Sequence, residues 1–438
     1  MVSVLLIGNG AREHAIAETL ARSPQKPKLF SYMKAKNPGI ARLSAAIQLG
    51  DYGNISGIMR FAQKNAVDFA VIGPEDPLSK GVADMLEQEG IPCVGPKKEL
   101  AQLETSKSFT RLLMQKYGIE GNPEFQVFKD TEGIIEFLDS LDGFVIKPDG
   151  LTGGKGVKVQ GDHLQTKEEA LQYCEEVLQT HPAVVVEEKL DGEEFSLQCL
   201  CDGKHVVAAP PVQDHKRAFV DDKGPNTGGM GSYSAANHLL PFLKKEHIQK
   251  ALEITQKVCN ALNEEIGEYK GVMYGGFILT QDGVKLIEYN ARFGDPEAMN
   301  VLPLLKTDFV AVCHAIITGE LSRLKIEFEK KATVCKYAVP KGYPGNPVKN
   351  QKADVSHVPK EARMYYASVD EKEDGLHMGA SRALAFVGIA DTLEAAEDIA
   401  EKAVSGVKGP VFHRPDIGTK ALIEKRIKHM QGILGKTA

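Results

Sequence analysis

The first hundred positions alternate short apolar runs with glycine-bearing turns, and that rhythm predicts a parallel α/β unit. Val2 to Ile7 is such a run, closed by Gly8-Asn9-Gly10-Ala11-Arg12-Glu13-His14 and followed by an Ala-rich helical stretch to Ala21. Val67 to Gly73 is a second strand, with Gly73-Pro74-Glu75-Asp76-Pro77 at its C-terminal end, where open α/β sheets place ligands. Ile91 to Gly95 reads as a third, shorter strand. Residues 1–103 are therefore expected to form one small doubly wound domain.

From 104 to 325 the periodicity changes. Glu104 to Tyr117 reads as a helix with Ser106 and Lys107 at its start, and Glu124 to Phe128 as a strand. Another helix follows, and Phe144 to Lys147 and Val157 to Val159 read as strands joined by a Gly-rich loop, Pro148 to Gly156. Ala183 to Val186 runs into acidic residues, a glycine and a further strand, the pattern of a charged hairpin end. A helix over Lys244 to Glu265 precedes the strand Gly275 to Leu279, the turn Gln281-Asp282-Gly283 and a second hairpin arm over 285–290. After a helix near Asp308 to Thr318, the last part (326–438) reads as strands at Ala332–Val339, Met364–Ser368 and Arg382–Gly388. Helices near Leu393–Val404 and Lys420–Met430 complete a small α/β cap.

Composition narrows the function classes. A chain of 438 residues is long for one core, so two to four domains are expected. With 42% hydrophobic and 26% charged residues it reads as an ordinary globular protein. A net charge of −6, with no basic run, argues against a nucleic-acid partner. No stretch approaches 18 apolar residues and the N-terminus lacks a basic start, so neither a membrane span nor a signal peptide is expected. Seven scattered cysteines without a Cys-x-x-Cys pair read as reduced, mostly buried thiols of a cytoplasmic protein.

The candidate chemistry centres on Leu286-Ile287-Glu288-Tyr289-Asn290-Ala291-Arg292-Phe293-Gly294-Asp295-Pro296-Glu297. Strand alternation puts Glu288, Asn290 and Arg292 on one face and Ile287, Tyr289 and Ala291 on the other. A carboxylate and an amide two residues apart can aim oxygens at one hard cation, with water and nucleotide phosphates filling its octahedron. Arg292 could clamp an anion nearby; the alternative is a solvent-facing edge strand. The 148–156 loop is not a Walker A sequence, because Gly156 rather than Ser or Thr follows Lys155 and the loop joins two strands. A strand–Gly-loop–strand unit can close over phosphates through backbone amides. Exposed backbone after 186 could read an adenine edge. Gln213-Asp214-His215-Lys216-Arg217 and the irregular Gly224-Pro225-Asn226-Thr227-Gly228-Gly229-Met230-Gly231 lie close in sequence. In them Asp214, Lys216 and Asn226 offer mixed charges for a small zwitterion. His215 reads as an orienting or surface group. The third glycine of a dinucleotide fingerprint is replaced by Glu13, which weakens a nicotinamide or flavin reading.

Four of these motifs, Gly8 to His14, Gln213 to Arg217, Gly224 to Gly231 and Asn290 to Glu297, resemble the phosphoribosylamine–glycine ligase family of ATP-grasp enzymes, in the right order over nearly the whole chain. The resemblance implies an ATP-grasp fold over 104–325, with a flap subdomain at about 120–192, between the N-terminal and C-terminal domains. It also implies joining of glycine to 5-phosphoribosylamine through glycyl phosphate in purine biosynthesis, with ATP and Mg²⁺ or Mn²⁺ as cofactors. The family's metal ligands fall on Glu288 and Asn290. Its phosphate contacts fall on Lys107, Lys147 and Lys155 with Gly153, Gly154 and Gly156, its adenine hinge on Glu187, Glu188, Lys189 and Leu190, and its ribose carboxylate on Glu194. Phosphoribosylamine is expected near Asn9, Gly10 and Glu75, and glycine near Asp214 and Arg292. Lys216 joins these two as a catalytic candidate, and Asn226, Thr227, Gly228 and Asp295 complete the substrate contacts. The chain departs from the family pattern at Ala35-Lys36-Asn37-Pro38-Gly39, at Lys147-Pro148-Asp149-Gly150 and at Gly379-Ala380-Ser381-Arg382. The chain's end at Ala438, soon after the last helix, suggests a stand-alone enzyme, and a monomer is expected. Rival expectations are another ATP-grasp ligase, using bicarbonate or a different acid, and a nucleotide-binding regulatory protein without chemistry.

Overall fold

The computed structural model describes residues 2–151 and 156–435. Its N-terminal sheet has five parallel strands in the spatial order Ala46–Leu49, Lys28–Met33, Ser3–Ile7, Phe69–Ile72, Cys93–Val94. Chain order reverses between Ser3–Ile7 and Phe69–Ile72, so the loops leaving these two strands form the crevice at the switch point. Glu13 fills that crevice from below: a Cβ on Gly8 would come 2.3 Å from its side chain, and one on Gly73 would come 2.4 Å from it. Its carboxylate accepts the Gly10 N–H at 2.6 Å. The position a dinucleotide fingerprint keeps empty is thus occupied by a hydrogen-bonded carboxylate. The helix Ile55–Lys64, absent from the sequence expectation, carries Ile58, Met59, Phe61 and Ala62 on its buried side and is capped by Asn54.

Two four-stranded antiparallel sheets follow. The first, in the order Phe125–Phe128, Val184–Glu188, Phe144–Pro148, Lys158–Val159, has its own core with the helices Ile134–Ser140 and Lys167–Leu178. The second, in the order Val206–Ala208, Glu193–Asp202, Lys270–Thr280, Gly283–Asn290, packs against the helix Lys245–Glu265. Residues 187–194 are therefore not a hairpin end as the pattern suggested: the strand before belongs to one sheet and the strand after to the other. The expected helix from Glu104 is two helices, Gln102–Thr105 and Lys107–Lys116. Ser106 is extended (φ −136°, ψ 116°) and caps the second by accepting the Phe109 N–H.

The third large sheet has the order Gln213–Asp214, Gly231–Ser234, Ala332–Pro340, Leu384–Ala390, Arg363–Tyr366, with Val411–Phe412 paired to the end of Ala332–Pro340. Strands from 213–234 thus extend the C-terminal sheet and bring the 213–231 motifs against it. Lys223–Asn226, expected to be irregular, pairs with Arg217–Phe219 as a small hairpin. All seven cysteines are unpaired and buried. No helix among the described residues is long and apolar enough to cross a membrane.

Candidate active site

A cavity of about 820 Å³ opens where the parallel sheet, the two antiparallel sheets and the C-terminal sheet meet. One wall is the edge strand Gly283–Asn290, which pairs on one side only. A bulge opposite Gly276 and Phe277 inserts Ile287 as an extra residue. Strict alternation fails there, and Ile287 lines the cavity beside Glu288 and Asn290 instead of facing away. Carbonyls on this open edge are taken by cations: Arg111 donates to Leu286 (3.0 Å) and Ile287 (2.7 Å), and Lys147 to Ile287 (3.1 Å).

Glu288 accepts no hydrogen bond among the described residues, and the nearest ammonium, Lys216 Nζ, stands 3.9 Å away. Burial alone would raise its pKa, but Lys216, Lys147, Lys107 and Arg292 together lower it. Asn290 Oδ1 accepts from Arg292 Nη2 at 3.0 Å. Arg292 is more occupied than an anion clamp would be: Nη2 also reaches Glu104 (2.9 Å), Nη1 the Phe293 carbonyl (3.1 Å), and Nε lies 3.4 Å from Glu75. Glu75 sits between Arg292 and Arg12, which outweigh its burial and hold its pKa at about 2. An alternating row, Arg12, Glu75, Arg292, Glu104, thereby crosses from the N-terminal domain into the central one. Asn9 and Gly10 sit behind this row, where Asn9 Oδ1 accepts from Tyr52 (2.6 Å) and its carbonyl from Asn37 (3.0 Å). The wall itself is made by Arg12, Glu75 and Asp76.

At the other end, Glu187 is 3% exposed. It takes a bidentate pair from Arg111 (2.7 and 2.9 Å) and an ion pair from Lys147 (2.6 Å). These cations overcome burial and hold Glu187 at about 2, whereas Lys147 itself is lowered because burial outweighs its partner. Glu187 therefore anchors cations rather than offering a free carboxylate. Lys107 Nζ donates to the Gly150 carbonyl (3.0 Å), and Asp149 accepts from Ser106 Oγ (3.0 Å) and the Ser108 N–H (3.1 Å). The start of the Gly-rich loop is thus tied to the Lys107–Lys116 helix. Its far end is tied by Tyr173, which donates to the Gly156 carbonyl at 2.7 Å. Gly153, Gly154 and Lys155 lie outside the described residues. In the crossover, Glu188 N–H bonds the Glu124 carbonyl and Lys189 N–H the Gly143 carbonyl, while the Leu190 N–H has no acceptor among the described residues. Glu194 lies 3.7 Å from Lys216.

Asp214, Lys216, Asn226, Thr227, Gly228 and Asp295 gather on the remaining wall. Thr227 shapes the turn: its hydroxyl donates to the Lys216 carbonyl (2.8 Å) and accepts the Gly229 N–H (3.0 Å). Gly229 has φ +108°, and a Cβ there would lie 2.6 Å from Pro296 and 2.7 Å from Asp214 Oδ1. Burial, then the neighbouring Glu297, raises Asp214, while Glu194 and Glu288 keep Lys216 raised against its own burial. His215 is not a surface group: it is 1% exposed, its ring lies tilted 5.9 Å from that of Tyr233, and neither ring nitrogen has a partner among the described residues. Burial depresses its pKa to about 3. The sequence argument missed Glu13, Glu104, Arg111, Glu297 and Arg382. Glu13, Glu297 and Arg382 stood inside stretches that the sequence singled out but were given no role, and Arg111 left a signal in its i+4 spacing from Lys107 on one helix face.

A nucleotide-sized cavity between two antiparallel sheets, walled by an acid–amide edge strand and by Lys107 and Lys147, defines an ATP-grasp enzyme. Family models carry the assignment further. The phosphoribosylglycinamide synthetase N domain matches residues 2–104, its ATP-grasp (A) domain residues 105–298, and its C domain residues 333–420. Phosphoribosylamine–glycine ligase of Methanocella arvoryzae is 51% identical over 435 residues, spanning 99% of this chain and 100% of that one. That of Methanocaldococcus jannaschii is 51% identical over 440 residues, spanning 98% and 99%. The crystal structure of the Thermotoga maritima phosphoribosylamine–glycine ligase superposes with TM-score 0.80 at 29% identity, covering 95% of this chain and 100% of that one. The chain belongs to the phosphoribosylglycinamide synthetase family.

Proposed function

We propose that this chain joins glycine to 5-phosphoribosylamine in an ATP-dependent ligation, giving glycinamide ribonucleotide, ADP and phosphate. Membership of the family over the full chain supports the reaction, and one observation carries its placement here. Glu288, with no hydrogen-bond donor among the described residues, faces the cavity beside Asn290 and within reach of Lys216. Glycine's carboxylate acylates amines poorly because oxide is a bad leaving group. Transfer of the γ-phosphoryl group onto it gives glycyl phosphate, and attack by the ribosylamine nitrogen then expels phosphate and forms the amide. No protein nucleophile is required.

Carboxylate and amide oxygens suit a hard cation, so Glu288 and Asn290 would hold Mg²⁺ or Mn²⁺, whose chemistry when bound is to neutralise charge on the transferring phosphoryl group. Among the described residues no group of three or more His, Cys, Asp or Glu could hold a metal, which fits a site completed by phosphate and water. Lys147, pinned by Glu187, and Lys107, pinned by Gly150, are the phosphate contacts, and loss of one such contact costs about a hundredfold to a thousandfold in rate. The open Leu190 N–H and its neighbours Glu188 and Lys189 form the adenine hinge, with Glu194 toward the ribose. The Gly-rich loop, with Gly153, Gly154, Lys155 and Gly156, closes the phosphates from water. Asp214 and Lys216 hold the glycine zwitterion, with Asn226, Thr227 and Gly228 shaping the wall. Glu75, with Asn9 and Gly10 behind it and Asp295 opposite, receives phosphoribosylamine. The domain limits that serve this are 1–103, 104–325 and 326–438, in a monomeric cytoplasmic enzyme.

The test is ADP release with MgATP, glycine and phosphoribosylamine generated in situ from ribose 5-phosphate and ammonia, each omitted in turn. ADP appearing only with all components is expected. ADP with bicarbonate in place of glycine would overturn the substrate assignment. Absence of ADP from folded protein under every combination would favour a binding role.

A further inference from the structure

Arg382 enters the cavity from the C-terminal part of the chain, two residues before the strand Leu384–Ala390. Its Nη1 donates to the carbonyls of Gly228 (2.7 Å), Gly229 (3.0 Å) and Asp295 (3.0 Å), and lies 3.1 Å from the Asp295 carboxylate. Its guanidinium carbon stands 4.6 Å from the centre of the Tyr337 ring, and the Tyr337 hydroxyl donates to the same Asp295 carboxylate at 2.6 Å. Facing it is Gly228, where a Cβ would come 3.0 Å from Nη2. Backbone, carboxylate, ring and glycine together fix the guanidinium plane, yet they use one terminal nitrogen only.

Nε and Nη2 donate to no acceptor among the described residues. Nor are they sealed off: the buried unpartnered polar atoms include Nε of Arg292 and of Arg426 but neither of these. The other cavity arginines differ. Arg111 spends Nε and Nη2 on Glu187, Arg12 spends Nε on Glu13, and Arg217, Arg292 and Arg426 each spend Nη2 on a carboxylate. The Nε–H and one Nη2–H of a guanidinium run parallel, spaced for two oxygens of one carboxylate or phosphate.

We propose that Arg382 is a substrate-binding residue whose free Nε/Nη2 edge takes an oxyanion of one of the two small anionic substrates. That oxyanion is either the carboxylate of glycine or the phosphate monoester of 5-phosphoribosylamine. This rests on the ligase function proposed above, and it gives the C-terminal domain a direct part in recognition. A purely structural clamp would need Nη1 alone.

The experiment uses the full chain with a non-hydrolysable ATP analogue and measures calorimetric binding of glycine and of ribose 5-phosphate, in the wild type and in Arg382→Ala and Arg382→Lys. One of the two ligands is expected to weaken about tenfold to a hundredfold in both variants, the size of one bidentate charged contact, while the analogue's affinity stays unchanged. The ligand that moves identifies the oxyanion. Arg382→Lys keeps the charge but lacks the parallel edge, so it remains informative if the alanine variant folds poorly. Unchanged affinity for both ligands overturns the proposal, as does parallel loss of both together with the analogue, which marks a clamp. A wild type that binds neither ligand overturns the ligase function and this proposal with it, whereas wild-type binding with unaffected variants overturns only the role of Arg382.

Discussion

Replacing Glu187 by glutamine tests how the cavity's cations are held. The substitution keeps volume and removes the charge that faces Arg111 at 2.7 and 2.9 Å and Lys147 at 2.6 Å. Lowering Glu187 from its ordinary 4.5 to about 2 corresponds to roughly 3 kcal/mol of folded-state preference for the carboxylate, at about 1.4 kcal/mol per tenfold. The site is almost fully buried, so solvent screening takes little away. Lys147 works in the opposite sense, since burial lowers its own pKa despite the partner. Without Glu187, both buried cations keep carbonyl acceptors but lose their paired carboxylate, and breaking a buried ion pair typically costs about 3–5 kcal/mol. Glu187→Gln is therefore expected to lose about 3 kcal/mol or more near neutrality, read from the urea transition that includes the first antiparallel sheet. Because the folded-state pKa is depressed, the stabilisation is complete above about 4.5 and disappears as pH falls toward about 2. The gap between wild type and variant must therefore shrink over that window. A gap below about 1 kcal/mol at neutral pH, or one that stays constant down to the acid limit, would refute the reasoning.

Three further outcomes follow from particular contacts. Glu288→Ala should abolish ADP formation while leaving the thermal transition in place, because that carboxylate makes no hydrogen bond among the described residues that the fold depends on; near-normal turnover would remove the metal assignment. Gly229→Ala places a side chain at φ +108° and within 2.7 Å of Pro296 and Asp214, so a loss of about 1–3 kcal/mol and a raised KM for glycine are expected, and a silent variant would show that the 228–231 turn is not held as described. Lys336 is fully buried between Glu397 (2.6 Å) and Glu401 (2.6 Å) and also donates to the Pro415 carbonyl (2.7 Å). Its carboxylate partners are partly hydrated, so Lys336→Met should cost about 1–3 kcal/mol in urea melts with kcat within about twofold, and an equally large fall in kcat would tie this cluster to the active site.

What the sequence made legible was carried by local chemistry. The Gly8–Gly10 turn, the Glu288–Asn290 pair and the 213–231 motifs were each found because a strand or turn announces itself within a few residues, and the cavity brings Glu288, Asn290, Asp214 and Lys216 together. The failures share one physical cause. Two strands joined by a Gly-containing acidic stretch look the same whether they pair or part, so the 187–194 crossover between sheets read as a hairpin end. A bulge is set by the partner strand, so nothing in Ile287-Glu288 itself told that Ile287 would turn toward the cavity. Glu13 under Gly8 and Gly73, and Arg382 beside Gly228, are contacts across folds of chain that no periodicity encodes.

Partner accounting separates the frame of this site from the groups left to work. Arg111, Glu187, Arg12 and Glu104 are each committed to charges or carbonyls inside the protein, and removing any one takes a partner from a buried charge. Those residues hold the walls at a fixed distance. Four cavity groups that reach solvent and have no protein hydrogen bond among the described residues are different: the Glu288 carboxylate, the Lys216 ammonium, the Leu190 N–H and the Nε/Nη2 edge of Arg382. These groups reach solvent, so a ligand replaces water at each of them, and one hydrogen bond exchanged in this way gains only about 0.5–1.5 kcal/mol net. The four open groups lie on four walls of one cavity, contributed by the crossover, the edge strand, the 213–231 segment and the C-terminal sheet. A molecule that satisfies one of them alone gains little. Under the ligase function proposed above, ATP, glycine and the ribosylamine bound together would satisfy all four, and recognition of the complete substrate set would then be coupled to exclusion of the water that hydrolyses a phosphorylated intermediate.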